Sequence, residues 1–226
     1  AGLAARALGQ FEHANSLFRD ANTLAPSNVT NNTAWGELFF EKFNQEEAGK
    51  SFSAALATDV SWVPAHVGLA RTMTESNPPV ARDIVTKALA INPYSVPALL
   101  VLAELELNDD RQVEAFTIIQ RALKVNPNSL EALSLQASIH YVQGRITRFD
   151  QITKNIFTIN PLFGDVYRIT GKHAARNYRF DEAVVLTRRA LEIDSTISQA
   201  WSELGMHLLR IGDEVDARNA LERAFE

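Results

Sequence analysis

The feature that most constrains this chain is an interval. Ile91-Asn92-Pro93, Val125-Asn126-Pro127 and Ile159-Asn160-Pro161 recur 34 residues apart. Proline disfavours the α conformation of the residue before it, so each asparagine ends a helix and turns the chain into a new unit. A period of this length marks stacked supersecondary units, each too small to bury its apolar face alone. The fullest copy, 29–62, holds Trp35-Gly36, Phe39, Ala48, Phe52 and Ala55, with Val60 where other copies mostly have proline. Trp35 and Phe39 are four apart, and Ala48, Phe52 and Ala55 follow at four and three, which predicts two short antiparallel helices. Helix axes approach to about 8 Å only where the crossing side chains are small. Gly36 and Ala48 therefore mark the crossing within the hairpin, and Ala55 the face toward the next one.

Six further copies are in register: 1–28, which is partial, then 63–95, 96–129, 130–163, 164–197 and 198–226. In the first, Gly9 is read as beginning the second helix, followed by Ala14, Phe18, Ala21 and Pro26. The 63–95 copy is one residue short, and its turn reads Ser76-Asn77-Pro78-Pro79. Two prolines fit only the first turn of a helix, so the deletion falls between the helices. The 130–163 copy places Phe149 where alanine is usual. A phenyl ring at a close crossing adds strain of about 1 to 3 kcal/mol unless the helices splay, so a local irregularity is expected there. These residue types at these positions resemble the tetratricopeptide repeat along essentially the whole chain. The resemblance implies an all-α fold, a right-handed superhelical solenoid of antiparallel helix pairs with about seven repeats, as one domain over 1–226.

Composition is compatible with such an array. The length is large for one compact core, yet no composition shift or low-complexity linker divides it. The 46% hydrophobic and 22% charged residues are ordinary for a soluble protein, and no apolar run approaches the roughly 18 residues of a membrane span. The absence of cysteine removes disulfides and thiolate chemistry and leaves the compartment open. Ala1 falls inside a repeat, and Leu221 and Phe225 stand on a last helix with no hairpin after it. A longer parent protein, and an uncovered apolar face capable of self-association, are expected from this.

Chemistry-bearing motifs are scarce. There is no His-Glu-x-x-His or Gly-x-Ser-x-Gly, and Gly164 with Gly171-Lys172 fails as a phosphate loop because six residues separate the glycines and His173 stands where Ser or Thr is needed. His140, His173 and His207 lie about one repeat apart and can align on adjacent first helices, but lack the carboxylate or further imidazole support a metal wants. Glu46-Glu47, Asp109-Asp110 and Asp181-Glu182 are placed where second helices begin, complementing the helix dipole. No catalytic residue, metal ligand or cofactor is assigned.

Charge points to binding. Residues 1–113 carry 8 Lys/Arg and 13 Asp/Glu, whereas 140–190 carry 9 against 4. The resemblance implies that first helices line a concave groove, which in the later repeats presents Ser134, Ser138 and Tyr141, then Arg168, Lys172 and Arg176, then Met206 and Arg210. Arg168, Lys172 and Arg176 at spacings of four share one helix face, and three cations in a groove make a candidate anion receptor. Tyr141 is expected to add an aromatic platform and the serines hydroxyls. The plain alternative is a solvated basic helix neutralised by Asp165 and Asp181. The function expected is a scaffold that binds a protein or peptide, an acidic or C-terminal segment in particular. The alternatives are an accessory repeat region of a larger enzyme such as a metallopeptidase, and a structural oligomerisation module. The pI of about 5.6 and the lack of interleaved aromatics argue against nucleic acid.

Overall fold

The computed structural model describes residues 1–225, and among them the secondary structure is helical throughout. The helices are α1 (Gly2–Ala7), α2 (Phe11–Leu24), α3 (Val29–Glu41), α4 (Gln45–Thr58), α5 (Val63–Met73), α6 (Pro78–Ile91) and α7 (Val96–Asn108). They continue as α8 (Gln112–Val125), α9 (Leu130–Val142), α10 (Ile146–Ile159), α11 (Asp165–Arg176), α12 (Phe180–Ile193), α13 (Ser198–Ile211) and α14 (Glu214–Phe225). Odd-numbered helices are the first and even-numbered the second members of the repeats. The chain divides into two compact units, Ala1–Asp110 and Arg111–Glu226, so the division falls inside the fourth repeat.

Two kinds of turn punctuate the array. Between repeats, Asn92, Asn126 and Asn160 adopt extended backbone and end their helices. Each also accepts a hydrogen bond from the backbone two residues on, at 3.0 to 3.1 Å. Asp59 and Asp194 do the same for Ser61 and Thr196 although Val60 and Ser195 replace proline, so the side-chain turn is the more general device. Within repeats, one residue takes a left-handed conformation: Gly9, Phe43, Asp110, Gly144, Tyr178 and Gly212 have φ between 57° and 84°. Gly9 thus lies in the turn before α2, not at its start, and Asp109-Asp110 lie in the turn before α8. In the third repeat, Pro78 and Pro79 open α6 behind an Asn77 cap, and the missing residue falls in the turn.

In the first unit each second helix packs on the following first helix, α2 on α3, α4 on α5 and α6 on α7. Phe52 is fully buried between two glycines. A Cβ on Gly36 would stand 2.7 Å from the ring, and one on Gly68 closer still, so the ring occupies the space that both glycines leave. Ala48 and Ala55 flank it with no exposure. Across the first helices, Arg6 pairs with Glu41 and Glu37, and Arg71 pairs with Glu37 while lying 4.2 Å over Phe40.

The second unit departs from the pattern at Phe149. There α10 packs on α9, while α11 packs mainly against α9 and α12. Phe149 is 5% exposed, with ring contacts to Tyr141 at 5.1 Å and Tyr167 at 6.1 Å, and Phe157 contacts Tyr167 at 5.9 Å. The aromatic cluster holds α10 away from α11 and the first helices meet directly. An irregularity was expected at Phe149, but the α9–α10 hairpin stays packed and the separation falls between α10 and α11. In the last repeat Leu221 is half-buried against Gly205, and the side chain of Phe225, expected on an uncovered face, lies outside the described residues.

Candidate functional site

The first helices of the second unit, α9, α11 and α13, lie side by side and hold the candidate groove residues of the later repeats. Small side chains make the approach of α9 to α11 possible. Ser134, Ala137 and Ser138 on α9 and Thr170 and Ala174 on α11 have no exposure. Ser134 and Ser138 therefore offer no hydroxyl to a ligand. Ser134 donates to the carbonyl of Leu130 at 2.7 Å, and Ser138 donates to that of Leu135 at 2.8 Å while meeting His173 Nδ1 at 2.5 Å. Burial, with the charges of Arg176, Lys172 and Arg168 behind it, pushes His173 down to about 3, so the imidazole is neutral. With the Ser138 proton committed to Leu135, Nδ1–H completes the short contact, and Nε2 has no partner among the described residues. A hydroxyl beside an imidazole is the pairing of a nucleophile and its base, but this one is sealed between two helices and works as a latch.

The cations on α11 are not equivalent. Arg168 is committed, its Nε to Asp165 and its Nη1 to Glu203 of α13 at 2.9 Å, with a side chain only 12% exposed. The neutralising partners are thus Asp165 and a residue of the next repeat, while Asp181 stays exposed in the first turn of α12. Lys172 is half-buried and has no ion-pair partner among the described residues; Arg176 is exposed at the end of the helix. On α13, Met206 is 51% exposed and Arg210 is exposed one turn on.

Tyr141 is half-buried and already engaged. Its hydroxyl donates to Glu182 at 2.6 Å and the Arg179 guanidinium lies 5.1 Å over its ring. Burial and the Glu182 carboxylate push the phenol up to about 12, and the hydrogen bonds from Arg179 and Tyr141 hold Glu182 below the usual carboxylate range. In the sequence Glu182 stood only as a helix-dipole residue, and Arg179 and Glu203 were missed. The signal for the last was present: Arg6 with Glu41, Ser138 with His173 and Arg168 with Glu203 are each separated by 35 residues. Polar residues one repeat plus one apart meet on adjacent first helices.

His140, His173 and His207 do not converge. His140 meets Phe116 edge-on, and His207 is buried on α13. Among the described residues, no group of three acidic or imidazole side chains is disposed to hold a metal ion, and no helix is long and apolar enough to cross a membrane.

These hairpins, with adjacent first helices bridged at one-repeat spacing, define a helical-repeat array. No family signature matches the sequence, and no curated protein does. Solved structures do. The chain is similar to a tetratricopeptide repeat protein from Parabacteroides merdae, with a TM-score of 0.60 and 17% identity over 99% of this chain and 89% of that one. It is likewise similar to a thermophilic repeat protein of the same kind in Thermus thermophilus, with a TM-score of 0.62 and 18% identity over 80% and 99%. The fold is that of the tetratricopeptide repeat.

Proposed function

We propose that the chain is a non-catalytic protein-interaction scaffold whose second unit holds an acidic segment of a partner along its first helices. The observation that carries this is the row Lys172 and Arg176 on α11 beside Met206 and Arg210 on α13, three cations and an exposed thioether on neighbouring helices. Arg168 is the structural member of the set, because Asp165 and Glu203 neutralise it. Tyr141, on α9, is held by Glu182 and Arg179 of the following turn and helix. A carboxylate-bearing segment supplies the opposite charge, and Met206 gives it an adaptable apolar contact.

The test is fluorescence anisotropy with a labelled Glu/Asp-rich peptide ending in a free carboxylate, titrated against the parent and a Lys172→Glu, Arg176→Glu, Arg210→Glu variant. Affinity that falls by about tenfold or more in the variant, and weakens as salt is raised, supports the reading. Equal affinity for both proteins removes the row from the function. Arg168→Glu is the contrasting variant: it breaks the bridge to Glu203 and lowers thermal stability.

A further inference from the structure

Among the described residues, three other than glycine take the left-handed conformation, and all lie in turns inside repeats: Phe43, Asp110 and Tyr178. A bulky side chain is strained there, and strain of this kind persists where a function keeps it. Aspartate tolerates the conformation, and Phe43, at 40% exposure, recovers part of the strain by packing. Tyr178 recovers little. It is 84% exposed, and its ring meets only that of Phe180, edge-on at 6.2 Å. Its hydroxyl has no partner among the described residues, so the side chain contributes little to the fold that a glycine would not.

The neighbouring turns leave that ring open. The repeats before and after hold Gly144 and Gly212 at the same place, where an added Cβ would meet nothing within 4 Å. Ser138 meets His173 and Arg168 meets Glu203 in one register, so α9, α11 and α13 run parallel and the three turns share one edge of the unit. Arg176 and Arg210, both exposed, stand in the last turns of α11 and α13 at that same edge. We propose that Tyr178 is a specificity-determining contact for the segment held along these helices, and that it takes an aromatic side chain carried next to the segment's carboxylates. This rests on the reading of the cationic row as a receptor for an acidic segment, and adds to it a requirement for a ring beside the charge. A second ring laid on Tyr178 removes apolar surface from water on both sides and gains an offset or edge-to-face contact. The strained turn is then the means of holding a tyrosine out toward the ligand.

The probes are two fluorescein-labelled Glu/Asp-rich peptides with a free C-terminal carboxylate, identical except for one central residue, phenylalanine or alanine, titrated against the full chain. The parent is expected to bind the phenylalanine peptide about fivefold more tightly than the alanine peptide. Tyr178→Phe is expected to keep that preference. Tyr178→Gly is expected to bind both peptides alike while its urea midpoint stays at or above the parent's, which separates a lost contact from a lost fold. Equal affinities for the two peptides in the parent, or a preference that survives in Tyr178→Gly, overturn the proposal. Failure of the parent to bind either peptide overturns the acidic-segment reading, and this proposal with it.

Discussion

At the scale of single residues, the turn inside each repeat shows what the array requires and what it tolerates. Gly9, Gly144 and Gly212 meet a left-handed conformation without a Cβ, but Phe43, Asp110 and Tyr178 adopt the same conformation at φ 57° to 60°. For an L-residue this costs roughly 1–2 kcal/mol, while glycine returns about 0.5–1 kcal/mol to the unfolded chain as entropy. Tyr178 is 84% exposed, so little burial is lost on replacing it. Tyr178→Gly is therefore expected to stabilise the protein by about 0.5 kcal/mol, read from the urea midpoint; a lower midpoint contradicts this account of the turn. The glycines were visible in the sequence as recurring small residues. That bulky residues share their backbone was not, because nothing in a phenylalanine or tyrosine announces a positive φ.

At the scale of helices, the α9–α11 contact sets the second unit apart. Strain at the crossing would make Phe149→Ala stabilising. The ring is instead a buried spacer with two aromatic neighbours, so truncation is expected to cost about 3–5 kcal/mol in chemical denaturation. The latch between the same helices predicts a pH dependence. His173 is held near 3 in the folded protein against 6.5 unfolded, so between these values the unfolded chain binds the extra proton. Its stabilising contribution is complete above about 6.5 and is lost as pH falls toward 3. His140 and His207 are shifted in the same direction by burial, so the parent's slope is a sum. His173→Gln is expected to melt with a shallower loss between pH 6.5 and 4 than the parent, and an unchanged slope would show that this histidine carries none of it. An irregularity was expected from the phenylalanine in the sequence; that it falls between α10 and α11, and not within the α9–α10 hairpin, was not, since only packing decides which pair of helices takes up the space.

At the scale of the molecule, stability in a repeat array is a sum of unit and nearest-neighbour terms. A Cβ at Gly68 strikes the buried Phe52 ring, so Gly68→Ala is expected to speed amide exchange in α3 to α6 while leaving α11 to α14 at parent rates. Accelerated exchange throughout would mean that the chain unfolds as one cooperative body. The sequence alone determined the helix pairs, the helix-ending asparagines and the small residues Gly36 and Ala48 at which the pair in the second repeat approaches closely. Each of these follows from local backbone chemistry repeated at a fixed period, and a period is legible in one dimension. The tertiary structure alone decided what the polar side chains do. It buried Ser134 and Ser138, which the sequence had placed in the groove, and spent Arg168 on Glu203. It also paired Tyr141 with Glu182, half-buried Lys172, and kept Arg176, Arg210 and Arg218 exposed. Those outcomes depend on which residues meet across helices 28 to 41 positions apart, as Arg188 meets Asp216 and Tyr141 meets Glu182, and distance along the chain carries no charge complementarity until the helices stack.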